Sequence, residues 1–398
     1  MKANIQKTMI MVVSFFLLSG CWDRWELNQL SLIVGIAVDK EGDDYVLTMQ
    51  AMNPAEIASQ ETGRGYAQGM DVREKSETIH ESLRKMIQKT PRRSFVSQLK
   101  VLILSEDVAR DGLDHVLDFF YRDHEMRSDF FVLISKDTAA ENILNVLTPL
   151  ENLSAQSLFD SVEFSGRSYS STKKLTMDRL FYEIKAVGID PSIMGVTVSG
   201  DIQQGRTKKN VEQNMAAAFV ETNGLAIFKG SKMITWLSQP HSKDIEYLNS
   251  GIENSVKSFT CPGGGNIALE IHSNNPAIKM ELKDGMPSVT YDLSLEATIS
   301  EVDCVDLDLS VPSSYEQVEK QAQTEMEANI HEAIVATQQA GSDILGIGQE
   351  LYRKFPDYWE QIQDDWYSIY QDLDVKINIA ITITDSGSII NSFSEGDH

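Results

Sequence analysis

The segment LSLIVGIAVD, Leu30–Asp39, is almost continuously apolar and rich in β-branched residues. A run of this kind predicts a strand that is buried on both faces of a sheet. Asp43 and Asp44 mark a turn, and the segment YVLTMQAM, Tyr45–Met52, predicts a second strand. The fold is therefore expected to begin with a hairpin whose first strand lies in the core.

Strand and helix patterns alternate after this hairpin. In chain order they predict a helix from the N-cap Ser76 to Lys89, a strand at Leu99–Ser105, a helix at Asp111–Asp123, a strand at Asp129–Ser135 and a helix at 138–147. Thr138 and Glu141 have the spacing of a capping box for the last of these. The serine-rich segment 154–176 predicts a surface loop, and Met177–Gly188 predicts a short helix. Such alternation is typical of helices packed on a sheet.

The second half of the chain has strand patterns at both ends and helical patterns between them. Asn223-Gly224 and Lys229-Gly230 are turn signals between short strands. The patterns that follow predict strands at 267–271, 277–282 and 289–299, a long helix at 313–339, helices around 344–351 and 359–373, and a closing strand at Val375–Thr384.

These elements predict an α/β fold of the mixed α+β kind, a multi-domain ectodomain with mixed sheets flanked by helices. The expected organisation is a lipoprotein signal peptide at 1–20, an N-terminal α/β region at 21–198 that could consist of two subdomains, a polar linker at 199–213, a C-terminal α/β domain at 214–387 and a tail at 388–398.

The first residues have the pattern of an export signal. Lys2 and Lys7 precede the apolar segment Thr8–Leu18, which is shorter than the roughly 20 residues that a transmembrane helix needs. Leu18-Ser19-Gly20-Cys21 then matches the bacterial lipoprotein box, against the alternative of a secreted protein with a chance cysteine. We expect cleavage before Cys21, S-diacylglycerol and N-acyl groups on it, and anchoring at the outer face of the cytoplasmic membrane.

Composition limits the possible partners. The chain has 398 residues, of which 42% are hydrophobic and 24% charged, as in globular proteins. Its formal net charge of −24 argues against binding to nucleic acid. The same charge argues against electrostatic adhesion to anionic lipid, so the lipid anchor is expected to hold the protein at the membrane alone.

Two further cysteines remain, Cys261 and Cys304. Outside the cytoplasm they could form a disulfide bond, and the alternative is two separate thiols. Neither lies in a C-x-x-C or zinc-type spacing.

No catalytic motif is present in the sequence, such as a P-loop, G-x-S-x-G, H-E-x-x-H or G-x-G-x-x-G. The glycine-rich segment 262–266 lies between predicted strands, which favours a turn over a phosphate-binding loop. Trp359 and Trp366 recur at helical spacing with apolar neighbours, which favours a core position over a ligand platform. The segment DILGIG, Asp343–Gly348, favours a helix N-cap in close contact with a neighbouring element. We therefore predict no enzyme activity, no cofactor and no metal.

The order of several segments resembles the Ger(x)C family, the lipoprotein C subunits of spore nutrient germinant receptors. The opening residues Cys21-Trp22-Asp23 and Glu26-Leu27-Asn28, followed by the strand that ends at Asp39, resemble the start of that family. The similarity continues through 95–127, 224–238, 343–366 and 375–387.

This resemblance implies a receptor subunit with an α/β ectodomain and no enzyme activity. It implies assembly with a multi-spanning A-type subunit and a permease-like B-type subunit in the spore inner membrane, and it matches Cys21 to the lipidated cysteine of the family. Two alternatives remain. A solute-binding lipoprotein of an importer should have two similar doubly wound lobes, and a lipid-anchored envelope hydrolase should have a catalytic set.

Overall fold

The computed structural model describes residues 29–53, 68–151, 153–169, 172–249, 252–261, 263–305 and 307–387. They form two β-sheets, one of nine strands and one of four, with helices packed against both. The mixed α/β fold class expected from the sequence is confirmed. Within the described ranges, none of the helices combines the length and hydropathy needed to cross a bilayer.

The nine-stranded sheet contains the hairpin and the central parallel strands. Its members are β1 (Leu30–Glu41), β2 (Asp44–Met52), β3 (Gly69–Ser76), β4 (Arg93–Phe95), β5 (Val101–Ser105), β6 (Phe131–Ser135), β7 (Ser192–Gly200), β8 (Ala218–Lys229) and β9 (Lys232–Leu237). The order is β3-β2-β1-β5-β6-β7-β8-β9, with β4 paired to β1. Pairing is parallel from β1 through β7 and antiparallel at both edges.

The four-stranded sheet has the order β10-β11-β12-β13. Its strands are β10 (Ser255–Thr260), β11 (Gly265–Lys283), β12 (Met286–Cys304) and β13 (Val375–Asp385). The three separate strands expected at 267–299 are two continuous strands of 19 residues each, which are paired antiparallel. The closing strand β13 is confirmed and pairs parallel to β12.

Thirteen α-helices occur in the described residues. They are α1 (Ile79–Lys85), α2 (Glu106–Asp111), α3 (Asp114–Arg122), α4 (Ala140–Asn145), α5 (Ser154–Ser168), α6 (Met177–Lys185), α7 (Ile202–Gly205), α8 (Lys209–Glu212), α9 (Gln239–Glu246), α10 (Pro312–Ala340), α11 (Ile347–Lys354), α12 (Pro356–Ile362) and α13 (Trp366–Gln371). The long helix α10 packs along β13 and connects the parallel strands β12 and β13. The single helix expected at 359–373 is divided into α12 and α13 by a 3-10 turn.

The opening strand lies in the core, as its apolar run predicts. Residues Ile33, Val34, Ile36, Ala37 and Val38 are almost completely buried. The predicted hairpin with β2 is also confirmed.

The helix predicted after Thr138 forms, but a distant carboxylate caps it. Asp39, at the end of β1, accepts hydrogen bonds from the backbone N–H groups of Ala140 (2.7 Å) and Glu141 (2.9 Å). The predicted Thr138 cap is therefore wrong. A carboxylate satisfies two free donors at once and interacts favourably with the positive end of the helix.

The serine-rich segment was expected as a loop, and this prediction is wrong for α5. Ala155, Leu158 and Val162 recur at helical spacing and are buried against the sheet, so the apolar stripe outweighs the low helix propensity of serine. Ala155 also donates its backbone N–H to the Gln50 side chain at 3.0 Å. Gly35 faces this helix, because a Cβ there would lie 2.6 Å from the Cβ of Ala155.

The segment 199–213, expected as a linker, contains the end of β7 and the short helices α7 and α8. It connects β7 to β8, which are adjacent antiparallel strands of the same sheet. Asn223-Gly224 lies inside β8, where the register shifts, and is not the turn that its sequence indicates. The nine-stranded sheet therefore extends beyond residue 213, and the division of the chain into domains stays a prediction.

Candidate functional site

A buried carboxylate organises the contact between the two halves of the chain. Asp343 is 1% exposed. Its carboxylate accepts hydrogen bonds from the backbone N–H groups of Ile347 (3.0 Å) and Gly348 (2.7 Å), and from the indole N–H of Trp366 (3.2 Å). The segment DILGIG thus provides the N-cap of α11, as the sequence favours.

A second carboxylate, Asp190, lies directly beside this cap. It accepts hydrogen bonds from the backbone N–H groups of Gly230 (2.9 Å) and Asp343 (3.1 Å), and from the hydroxyl of Tyr367 (3.1 Å). The backbone N–H of Asp190 in turn donates to the carbonyl of Asp343 at 2.9 Å. Because each carboxylate has three donors, both are well satisfied despite their burial.

Backbone contacts tighten the same junction. The Ser342 hydroxyl donates to the carbonyl of Phe228 at 2.6 Å, and the Gln349 N–H donates to the carbonyl of Gly188 at 2.7 Å. Gly188 has a φ of +70°, and a Cβ there would lie 2.4 Å from the backbone of Gly348. Only glycine fits at this position. The junction therefore fixes how the loops of the nine-stranded sheet meet the C-terminal helices.

The junction carboxylates are electrostatically unusual. Burial, with a smaller contribution from the neighbouring charge of Asp190, raises the pKa of Asp343 to about 7 against the opposing effect of its hydrogen bonds. Burial likewise raises the pKa of Asp190 above its ordinary value. The protonation state of Asp343 therefore depends on pH near neutrality.

A cavity of about 400 Å³ adjoins the junction and is lined by both halves of the chain. Glu246 lines it, and burial raises the pKa of its carboxyl group. Its Oε1 atom has no hydrogen-bond partner among the described residues. Lys173 also lines the cavity but is engaged with Glu183 (3.2 Å) and Ser192 (2.9 Å).

The tryptophan pair lies in the core, as its spacing predicts. Trp359 and Trp366 are buried, with ring centroids 5.3 Å apart. Both pack against Gly348, since a Cβ there would lie 2.6 Å from the Trp366 indole nitrogen and 2.9 Å from the Trp359 ring. The pair supports the junction and does not form an exposed ligand platform.

The cysteines predicted as sites have different positions. Cys21, the predicted lipid attachment residue, lies outside the described residues. Cys261 and Cys304 form a disulfide bond, with their Cα atoms 5.6 Å apart. The bond crosses from the end of β10 to the end of β12, beside the glycine-rich turn at 263–265.

Sequence reasoning identified Asp343 only as a cap and missed Asp190 and Glu246. Asp190 lies 153 residues from Asp343, and no local pattern connects the two. Among the residues that the structure describes, no group of three or more His, Cys, Asp or Glu side chains could hold a metal ion. The arrangement at the junction is suited to holding two regions together.

Comparison with known proteins covers both regions. Residues 23–198 match the family described as "Spore germination protein N-terminal domain", and residues 223–387 match "Spore germination B3/ GerAC like, C-terminal". Spore germination protein KC of Bacillus subtilis (strain 168) is 28% identical over 91% of this chain and 90% of its own length. Spore germination protein B3 of the same organism is 22% identical over 96% and 98%.

The fold is also shared with a solved structure. The crystal structure of the GerBC protein superposes with a TM-score of 0.57 and 19% identity, covering 88% of this chain and 97% of that one. Together the two family matches cover nearly all of the described residues in the expected order. The chain therefore belongs to the GerAC-like family of spore germination proteins, the Ger(x)C family that its sequence resembles.

Proposed function

We propose that this chain is a non-enzymatic, lipid-anchored subunit of a spore nutrient germinant receptor. The observation that carries this proposal is the match of both regions to spore germination families. Relatives that align over nearly their whole length are named spore germination proteins. The lipoprotein box at Cys21 supports anchoring at the outer face of the spore inner membrane.

The subunit acts in this proposal through assembly with a multi-spanning A-type subunit and a permease-like B-type subunit. Anchoring confines the ectodomain to the membrane plane, which raises its effective concentration towards membrane partners. The rigid junction around Asp190 and Asp343 supports this role, because a fixed arrangement of two regions can present one continuous docking surface.

Co-purification tests the assembly. The full chain, tagged after Ser386, is extracted from spore membranes in mild detergent, and its partners are identified by mass spectrometry. We expect both multi-spanning subunits. Recovery of an ATP-driven importer in their place would favour the solute-binding alternative and contradict the receptor assignment.

The anchor is tested separately by the substitution Cys21→Ala. We expect loss of the protein from spore membranes and a loss of nutrient-triggered germination, whereas germination by a nutrient-independent trigger should continue. Cys21→Ala spores that germinate on nutrients at the normal rate, with normal subunit levels, would exclude a required anchor. Lys283→Glu is a control, because it changes an exposed residue at the tip of the β11–β12 hairpin without touching the lipoprotein box.

A further inference from the structure

Two exposed segments lie side by side at one end of the nine-stranded sheet, 147–150 and 206–219. The buried side chain of Asn210 joins them. Its amide donates to the carbonyls of Leu147 (2.7 Å) and Ala218 (3.0 Å), and its oxygen accepts from the N–H of Ala218 (2.9 Å). Together they form one surface, called here the apolar-basic surface.

This surface exposes an unusual number of large apolar side chains. Leu150 is 94% exposed and Met215 is 82% exposed. The same segments also expose Leu147, Val211 and Phe219. Single exposed apolar residues are common on proteins, but a group of five on two adjoining segments indicates an interaction surface.

The charge of this surface is opposite to that of the chain. Segment 206–219 contains Arg206, Lys208 and Lys209 and a single acidic residue, Glu212, whereas the whole chain has a net charge of −24. Lys208 and Lys209 are exposed, and no ion pair involves them within the described part of the chain. Apolar side chains flanked by free lysines match an anionic bilayer, whose headgroups attract the lysines and whose acyl boundary accepts the apolar groups.

The surface continues towards the place where the chain enters the fold. The loop that carries Leu147 and Leu150 ends at Leu153. This side chain packs against Gly69, because a Cβ built on Gly69 would lie 2.5 Å from Leu153 Cδ2. Gly69 pairs with Met52 across β2 and β3, and Met52 pairs with Leu32 in β1. The loop therefore ends two strands away from the beginning of β1.

The expected anchor precedes the beginning of β1 by a few residues in the sequence. Eight residue steps separate Cys21 from Gln29, the first described residue, and a fully extended chain of that length spans at most about 28 Å. A lipid on Cys21 would hold the beginning of β1 near the bilayer. The loop at 147–150 leads towards this point, whereas segment 206–219 follows the opposite, carboxyl end of the parallel strand β7.

We propose that the apolar-basic surface binds the headgroup region of an anionic bilayer and holds the anchored ectodomain in one orientation. The orientation in the spore rests on the proposed lipid anchor, but the affinity of the surface does not. The net charge of −24, which argues against adhesion to anionic lipid for the chain as a whole, repels the rest of the protein from the same bilayer, so contact is confined to this surface.

Vesicle flotation tests the proposal without the anchor. The sample is the chain from residue 21 to 398 with Cys21→Ala in every variant, mixed with vesicles of phosphatidylcholine alone or of equal parts phosphatidylcholine and phosphatidylglycerol. We expect flotation only with the anionic vesicles and release by high salt. Lys208→Glu with Lys209→Glu, and separately Leu150→Asp with Met215→Asp, should each weaken binding by roughly tenfold or more.

A matched control changes a similar exposed pair elsewhere. Lys283→Glu with Met286→Asp alters one basic and one apolar residue at the tip of the β11–β12 hairpin, both exposed, and should leave flotation unchanged. Circular dichroism checks that each variant is folded. Absence of flotation, equal flotation with neutral vesicles, or equal losses in the control would overturn the proposal. Because Cys21 is replaced throughout, these outcomes are independent of the germination result for the anchor.

Discussion

The central strands of the larger sheet are buried along their whole length, whereas the strands of the smaller sheet alternate between buried and exposed residues. Every residue of β5 and β6 is buried, because helices cover both faces of a parallel sheet. In β12 the buried residues from Val289 to Ala297 occur at every second position. One face of the smaller sheet packs under α10, and the other is largely exposed.

This difference explains where each region gains its stability. The larger sheet has a hydrophobic cluster on each face, and one of these clusters continues into the smaller sheet and α10. The smaller sheet has one buried face and adds a disulfide bond between the ends of β10 and β12. The shared cluster and the junction around Asp343 couple the two regions. Single substitutions can weaken each of these contributions in turn.

The largest effect is expected in the larger sheet. Ile103→Ala in β5 removes a completely buried side chain and should lower the free energy of unfolding by roughly 2–5 kcal/mol. Ile377→Ala is the matched change on β13, where the side chain is only half-buried, and should cost about 1 kcal/mol. Guanidinium unfolding of the chain from residue 21 measures both, and equal losses would contradict the two burial patterns.

The second effect concerns the disulfide bond. Replacing Cys261 and Cys304 by serine opens a loop with a sequence separation of 43, which should cost roughly 2–4 kcal/mol. Amide hydrogen exchange should increase in β10, β11 and β12 and stay unchanged in β5. Wild-type protein treated with a reductant is the control, and unaltered exchange in the smaller sheet would show that the bond is not needed there.

The third prediction concerns the junction and its pH dependence. Because the pKa of Asp343 is about 7 in the folded chain and 3.8 as its ordinary value, the folded state binds more protons between these values. Stability is therefore greatest below about pH 4 for this group and is lost as the pH rises through 7. The loss should reach about 2 kcal/mol between pH 5 and pH 7.

Asp343→Asn should remove most of this slope, which urea unfolding at a series of pH values measures. Asp39→Asn is the matched control, because burial also raises the pKa of the Asp39 carboxyl group, which lies at the end of β1 and outside the junction. It should leave the slope near pH 7. The same slope in wild type and Asp343→Asn would show that the carboxylate is not protonated on folding.

The smallest effect is expected at the edge of the junction. The Lys229 ammonium lies 3.7 Å from the centre of the Tyr367 ring, so Lys229→Ala should cost about 0.5–1 kcal/mol. Lys229→Arg should retain most of this stability, because a guanidinium can also stack on the ring. If Lys229→Ala lowers the free energy of unfolding by more than Ile377→Ala does, this contact contributes more to the coupling of the two regions than the hydrogen bonds of the junction indicate.

Sequence reasoning predicts the elements whose patterns are local. The apolar run of β1 and the alternation of β13 identify both strands and their burial. The serine-rich helix α5 was missed because its propensity is low and its stripe of Ala155, Leu158 and Val162 is short. Tertiary packing decides such a segment.

Contacts between distant residues had no sequence signal. Asp39 caps α4 from 101 residues away, so a nearby threonine looked like the better candidate. The capping of α11 by Asp343 was recognisable in the sequence, because the backbone N–H groups that donate to its carboxylate follow within five residues. Its partner Asp190 could be found only in three dimensions, and so could the apolar-basic surface, whose two segments are more than 50 residues apart in the chain.

The parallel pairing of β13 with β12 has a consequence for biosynthesis. A ribosome produces the chain from its N-terminus, so the larger sheet has all its strands once β9 has been made. The smaller sheet lacks its last strand until the residues from Val375 onwards have been made, because β13 begins there. Until then β12 exposes the edge from Val289 to Thr298 that β13 later covers, and such an unpaired edge is a template for aggregation. A premature stop shortly before Val375 would make that transient hazard permanent.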